Sequence, residues 1–436
     1  MKINKVKGLS FFCIFLIGFI NLSCKIFSNK ASDLAQSKAC KFMYDGFLAK
    51  DMQSKSLPKN FTSFKEVSFK DYCNDNIFAD KMADGLKKEG DQTPWSKSWG
   101  SGLKITVHKQ TQYSLPYYKT VIFKTVNNCS LGMQIYLENL DDLSSKKLKP
   151  FMFIHGGGWM IRQFTSTTAV ESFIPHLTSK GYVVFSPSYR LLREIGGPKE
   201  CQKSNGTDIQ EDMKSAFAWV KEHSESYGSL KNQKIGVGGQ SAGAHLATFL
   251  LTEYPKEVSQ GILFYPVTDF KYMIGMVKNG EFGHMKEDAT LAHYVYGEGS
   301  PLIKMDENNK IVERNSFPDI IRKEPTAFPP VYMIHGNRDT IAPVVNSERL
   351  CSAYNQNFDF KIETLHEGKR QQCGPKGYFV QITNGRHMLD IRCLGKSLSA
   401  IIPSQLANSV LCPAGSIEGD NEVAKAVEHL SKNFLN

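Results

Sequence analysis

Lys234 to Leu250 reads KIGVGGQSAGAHLATFL, and the fold turns on it. The apolar run Ile235 to Val237 breaks into glycines, presents one serine, and becomes an Ala/Leu pattern of helical period. Within it Gly239-Gln240-Ser241-Ala242-Gly243 fits G-x-S-x-G, the strand–turn–helix of a nucleophile elbow. Such a turn holds Ser241 in strained backbone geometry with Oγ exposed. A side chain at Gly239 or Gly243 would collide with the neighbouring strand or helix. The helix that follows aims its first N–H groups at the place where negative charge develops. The same five residues also arise by chance in glycine-rich turns, but a position between an apolar run and a helix start favours the elbow.

Working outward, apolar strand-like runs recur at Phe151 to Ile154, Val183 to Ser186, Ile262 to Phe264, Val331 to Ile334 and Phe360 to Thr364. Helical patterns lie between them, notably Thr207 to His223 and Ser241 to Thr252. Strands alternating with helices predict an α/β fold with a mostly parallel sheet covered on both faces. Upstream, Val121 to Val126 and Leu131 to Leu140 read as a hairpin around Asn127-Asn128. Residues 270 to 328 interrupt the rhythm with a polar, Gly/Lys/Glu-rich stretch, read as an inserted lid. Residues 367 to 380 and 392 to 416 read as cysteine-bearing excursions, and 25 to 100 as an N-terminal extension with helix-like pieces and no motif. The hydrolytic candidates all fall in the domain from 101 to 436.

Before the elbow comes FMFIHGGGWM, where a strand-like run ends in His155-Gly156-Gly157-Gly158-Trp159. Three bare glycines let backbone N–H groups approach a ligand oxygen, as an oxyanion hole requires. No Lys-Ser/Thr follows at the spacing of a phosphate loop. Downstream, VYMIHGNRDTIAP delivers Asp339 to the C-terminal end of a strand, where sites of open α/β sheets gather. Ser241 needs a base and a group to orient that base. Asp339 is the candidate acid. His387, in the glycine-containing loop Asn384 to Met388, is preferred as base because a turn before it lets the ring swing back toward the elbow. His366, nearer in sequence to Asp339, is the alternative. His155 reads as a support for the glycine loop and His245 as a core histidine. Trp159, Met160 and Phe164 offer an apolar wall to a substrate, or simply core.

The first residues read as an export signal. Lys2, Lys5 and Lys7 precede the apolar run Leu9 to Ile20, too short to span a bilayer. Asn21-Leu22-Ser23-Cys24 follows, so residues 1 to 23 form the signal, and Cys24 is the candidate first mature, lipid-bearing residue; the competing reading is ordinary secretion. Removing those three lysines takes the formal net charge from +10 to +7. The remaining basic residues are scattered among acids, a solvated surface rather than a nucleic-acid face. Cys40, Cys73, Cys129, Cys201, Cys351, Cys373, Cys393 and Cys412 make an even set without metal-ligand spacing, compatible with up to four disulfides in an oxidising compartment.

Taken together, HGGGW, PSYRL (Pro187 to Leu191), EDMKSAFAWV (Glu211 to Val220), GQSAG, HGNRD and GRH resemble the α/β-hydrolases of the hormone-sensitive-lipase type, with carboxylesterase, feruloyl-esterase-like and arylformamidase branches sharing much of the pattern. The resemblance covers residues 120 to 391. It implies Ser241 as nucleophile, Asp339 as acid, His387 as base, and the N–H groups of Gly157, Gly158 and Ala242 as the oxyanion hole. Asp212 would be the structural acid of the helix before the elbow strand. Gln240 departs from the Asp or Glu usual in the lipase-type branch, and Leu192-Arg193-Glu194 from the usual Ala-Pro-Glu. The expected activity is ester cleavage through an acyl-enzyme on a small-molecule or lipid substrate, in the bacterial cell envelope or secreted, with no metal or organic cofactor. The rival readings are an amidase, peptidase or arylformamidase on the same triad, or an inactive binding module.

Overall fold

The computed structural model describes residues 116–160, 173–192, 199–279, 290–296, 308–356, 370–390 and 422–435, apart from a few single positions inside them, with short pieces between 86 and 114 and residue 306. Cys24, the signal segment, Phe164, His366, the 392–416 excursion and the run Phe360 to Thr364 lie outside the described residues, as does most of the N-terminal extension.

The centre is a ten-stranded sheet. In chain order its strands are β1 (Ser96–Lys97), β4 (Tyr117–Val126), β5 (Cys129–Leu137), β6 (Lys149–Ile154), β7 (Tyr182–Pro187), β8 (Ile235–Gln240), β9 (Val258–Phe264), β10 (Val331–Gly336), β11 (Arg370–Cys373) and β12 (Gly377–Ile382). A separate hairpin joins β2 (Lys104–Val107) to β3 (Thr111–Ser114). The spatial order is β1-β4-β5-β7-β6-β8-β9-β10-β12-β11. Pairing is parallel from β7 through β12 and antiparallel at both margins. The β4–β5 hairpin turns at Asn127 and Asn128, both left-handed at φ 49° and 64°. Two consecutive positive φ values are what a tight hairpin turn needs and what asparagine tolerates.

Successive side chains of a strand point to opposite faces, and the core divides accordingly. Met152 and Ile154 join Phe185, Met213, Phe217 and Leu246 on one face, while Phe151 and Phe153 join Phe173, Leu177, Val427 and Leu430 on the other. The second face is covered by α1 (Ile174–Thr178) and α9 (Glu422–Asn433). The first is covered by α2 (Gly206–His223), α3 (Ala242–Glu253) and α8 (Val345–Asn355). Helix α2 starts at a reciprocal cap between Asn205 and Asp208. Helix α3 is buried from Ala242 through Leu251, as its nearly all-apolar sequence requires. This is the α/β-hydrolase arrangement.

The polar reading of 270–328 needs correction at its described helices α4 (Phe270–Lys278), α5 (Thr290–Tyr296), α6 (Lys310–Arg314) and α7 (Phe317–Ile321). Phe270, Met273, Ile274, Tyr294, Val312, Phe317 and Ile321 all belong to the main core. Likewise, part of the 367–380 excursion is the edge strand β11. Two disulfides occur among the described residues, Cys129–Cys201 and Cys351–Cys373. The first closes 72 residues of chain. Replacing both its cysteines with serine is expected to lower unfolding free energy by about 2–4 kcal/mol, read as a shift in the urea midpoint.

Candidate active site

β8 ends against α3 in a turn one residue wide. Ser241 occupies it at φ 52°, ψ −119°, a conformation costing non-glycine residues on the order of 1–3 kcal/mol. The surroundings hold it there: the Ser241 N–H donates to Phe264 O at 3.0 Å, and the His245 N–H to Ser241 O at 3.0 Å. A Cβ on Gly239 would lie 2.4 Å from Ile154 O, and one on Gly243 2.1 Å from the same atom. Strand β6 and helix α3 thus pack against each other with no room for a methyl group.

Asp339 follows β10 and His387 follows β12, adjacent parallel strands. Their loops touch through glycines: a Cβ on Gly336 would fall 2.2 Å from Gly385 backbone, and Arg338 N–H donates to Gly385 O at 2.9 Å. That contact brings the histidine loop beside the acid turn. His387 Nδ1 donates to Asp339 Oδ2 at 2.6 Å, and Ser241 Oγ donates to His387 Nε2 at 2.9 Å. Asp339 Oδ1 accepts from the N–H groups of Ile341 and Ala342, each at 2.9 Å. His335 adds a further donor. Its Nε2 lies 2.7 Å from Ala342 O, which can only accept, and 3.3 Å from Asp339 Oδ2, so Nε2 carries the proton. Burial pushes the Asp339 carboxyl toward the neutral form, but the His387 charge and the His335 and His387 hydrogen bonds outweigh it. The net result is a carboxyl held well below its usual range.

The glycine loop sits beside the elbow. Gly157, Gly158 and Trp159 are all left-handed, at φ 110°, 61° and 57°. Met160 N–H closes the turn onto Gly157 O at 3.0 Å. Among the described residues none accepts from the N–H of Gly157, Gly158 or Ala242. His155 stacks on Tyr189 at 4.2 Å between ring centroids, and Tyr189 Oη donates to His155 O at 3.1 Å. Behind the loop, Asp212 is fully buried and receives Arg190 through Nε at 2.8 Å and Nη2 at 3.0 Å, with Lys124 at 2.7 Å. Trp159 keeps 4% exposure and packs in an aromatic cluster with His245, Phe270 and Tyr294. Met160 is half-buried against the core.

His245 is a core histidine, donating from Nε2 to Asn315 Oδ1 at 2.8 Å. Asn315 Oδ1 can only accept, so Nε2 is the protonated nitrogen. Burial lowers its pKa to about 3, the Asn315 bond opposing in part; burial does the same to His176. Unfolded, both would take up a proton below about pH 6.5, which the folded protein refuses until about pH 3. Stability contributed this way is complete above pH 6.5 and falls as pH drops, by about 1.4 kcal/mol per pH unit for each histidine. Urea unfolding at pH 7.5 and pH 5.0 is expected to show a loss on the order of 2 kcal/mol per histidine, about half of it abolished in His176→Phe.

Two features were not legible beforehand. Buried Asp390 and Tyr265 lie against this site, and His335 has a role beyond its place in the HGNRD pattern. The only sequence signal for Asp390 was its position three residues after His387.

Among curated proteins, Esterase LipC of Mycobacterium tuberculosis is 22% identical over 257 residues, covering 57% of this chain and 55% of that protein. Carboxylic ester hydrolase LipN of the same organism is 32% identical over 160 residues, covering 33% and 38%. The chain thus spans about half the length, or less, of these relatives. Among solved structures, a carboxyl esterase 2 from the fungus Tuber melanosporum matches with TM-score 0.47 and 15% identity, over 75% of this chain and 89% of that one. A truncated carbohydrate esterase from gut microbiota gives TM-score 0.47 and 16% identity, over 73% and 97%. A family model described as BD-FAE matches residues 133–354, more than half of the 436 residues. Because that match runs from β5 through α8, and so takes in the glycine loop, the elbow and the acid turn, the chain belongs to the BD-FAE family.

Proposed function

We propose that this chain is an exported serine hydrolase that cleaves carboxylic esters through an acyl-enzyme. The observation that carries the reading is the unbroken relay from Asp339 Oδ2 through His387 to Ser241 Oγ, set on a strained elbow. Ser241 Oγ attacks the ester carbonyl carbon as its proton passes to His387 Nε2. The tetrahedral oxyanion is received by the N–H groups of Gly157, Gly158 and Ala242. The carbon–oxygen bond to the alcohol then breaks, and the proton on Nε2 leaves with the alcohol. Water, deprotonated by the same nitrogen, releases the acid and restores Ser241. Asp339, an anion at the pH of the reaction, fixes the Nδ1–H tautomer and stabilises the imidazolium. The names of LipC and LipN, an esterase and a carboxylic ester hydrolase, support the same chemistry. Phe270 and Tyr294 of the 270–328 insertion pack on Trp159, so that insertion frames the substrate side of the glycine loop.

Export rests on residues 1 to 23 and is supported by two disulfides, which persist in oxidising compartments. Lipidation at Cys24 places the enzyme on a membrane surface; mass spectrometry of the mature N-terminus tests it, and an unmodified Cys24 would leave simple secretion. The decisive experiment for the activity is a p-nitrophenyl ester panel from acetate to palmitate, paired with fluorophosphonate labelling of Ser241. Hydrolysis and labelling are expected together. A folded protein that shows neither would sink the proposal in favour of a binding module, while labelling without ester turnover would point to amides.

A further inference from the structure

Asp390 is fully buried, and the relay described above makes no use of it. Its Oδ1 accepts from the Tyr265 hydroxyl at 2.5 Å, and its Oδ2 from the side-chain amide of Gln240. These donors stand on two other segments of the site. Gln240 is the residue before Ser241 and ends β8. Tyr265 follows β9 with a left-handed φ of 39°, and its ring centroid lies 4.6 Å from that of His387. The Tyr265 N–H is tied to Ile334 O at 2.9 Å, which fixes it to the strand that carries Asp339. An amide and a phenol directed at separate oxygens suit an ionised carboxylate, which only accepts. Burial, followed by the Asp390 charge, holds the Tyr265 phenol well above its ordinary range, so it stays a donor.

We propose that Asp390 is a second, positioning carboxylate of this site: through Gln240 and Tyr265 it fastens the histidine turn to the nucleophile elbow, and its charge helps to stabilise the His387 imidazolium. The inference rests on the Ser241–His387–Asp339 reading above. The groups in contact with His387 are Asp339 on the acid turn, Ser241 on the elbow and Tyr265 after β9; Asp390, three residues further along the chain, holds the Tyr265 hydroxyl. His335 stands behind Asp339, and the Glu348 carboxylate interacts in turn with His335. Among the described residues Asp339 is the carboxylate hydrogen-bonded to the imidazole, and Asp390 reaches the ring through Tyr265, whose hydroxyl it holds. A buried carboxylate of this kind acts on the rate step rather than on substrate affinity, because it touches neither substrate nor oxyanion.

The test is Asp390→Asn, with Gln240→Glu/Asp390→Asn and Tyr265→Phe beside it, each followed by ester kinetics, fluorophosphonate labelling rate and thermal midpoint. Asp390→Asn is expected to lower kcat about 10- to 100-fold with KM within about twofold, and to move the acid limb of kcat/KM down by about half a pH unit. The double variant restores one amide and one carboxylate with their places exchanged, and is expected to recover at least about tenfold of the lost kcat. Folded Asp390→Asn with unchanged kcat and unchanged acid limb would overturn the proposal. So would a double variant that regains the thermal midpoint but none of the rate, since that is the mark of a merely structural pair. If Asp390→Asn does not fold, Tyr265→Phe decides, as it keeps the ring and removes only the donor: a several-fold loss of kcat with a shifted acid limb supports the proposal, and wild-type values overturn it. Wild type that is not labelled overturns this inference together with the reading it rests on; labelled wild type with equally fast labelling of Asp390→Asn overturns this inference alone.

Discussion

Ser241→Ala is expected to lower kcat for p-nitrophenyl acetate by about 10⁴- to 10⁶-fold with little change in thermal midpoint. The hydroxyl makes one hydrogen bond to His387, and the strain of the elbow is carried by the backbone, which alanine leaves in place. His387→Ala should cost about as much, and the double variant little more, because nucleophile and base act as a unit. Asp339→Asn gives the sharper test. Its Oδ1 is claimed by the N–H groups of Ile341 and Ala342, so an asparagine oxygen must stay on that side. The amide nitrogen then faces His387 Nδ1, which can only answer by accepting. The proton moves to Nε2, where it opposes Ser241 and cannot take up another. A loss of about 10⁴-fold in kcat follows from the wrong tautomer alone. A folded Asp339→Asn protein with wild-type turnover would remove Asp339 from the acid role and with it the relay.

What could be read from the chain beforehand was whatever local pattern dictates. The elbow, the triple-glycine turn and the HGNRD turn each confine their chemistry to five or so neighbouring residues at a strand end. The Asn127-Asn128 hairpin is of the same kind, since two left-handed residues in succession are a local demand. The choice between His387 and His366 was not local. It depended on Gly385 packing against Gly336, a contact between loops nearly fifty positions apart. Asp390 was hidden for the same reason: nothing in GRHMLD says that its last residue is buried against Gln240, 150 positions away. The 270–328 stretch misled through its average. Its charged and glycine residues dominate the composition, yet Phe270, Met273 and Ile274 recur at helical spacing and supply core. Strand β11, RQQC, has no apolar alternation because it is a half-exposed edge, so period gave no sign of it.

Gly243→Ala should be among the most damaging single substitutions in this chain, costing upwards of about 4 kcal/mol. The added Cβ would stand 2.1 Å from Ile154 O and 2.4 Å from His155 O. Both are backbone atoms in or just beyond β6, so no side-chain rotation relieves the clash; the sheet and helix α3 must separate. Gly275→Ala in α4 supplies the contrast, since its Cβ would meet nothing within 4 Å. There the helix propensity gain should appear unopposed, as a stabilisation of about 0.5–1 kcal/mol. Urea unfolding of the two variants checks both signs, and a Gly243→Ala protein with a wild-type midpoint would show that this contact does not set the elbow. The consequence for chemistry follows from which carbonyls are struck. Ile154 and His155 lead directly into Gly156 to Gly158, so forcing α3 away from them moves Ser241 and the Ala242 N–H away from the glycine-loop N–H groups at the same time. Any Gly243→Ala molecules that do fold should therefore lose catalysis more than they lose stability, because the close packing at Gly239 and Gly243 holds nucleophile and oxyanion donors in register.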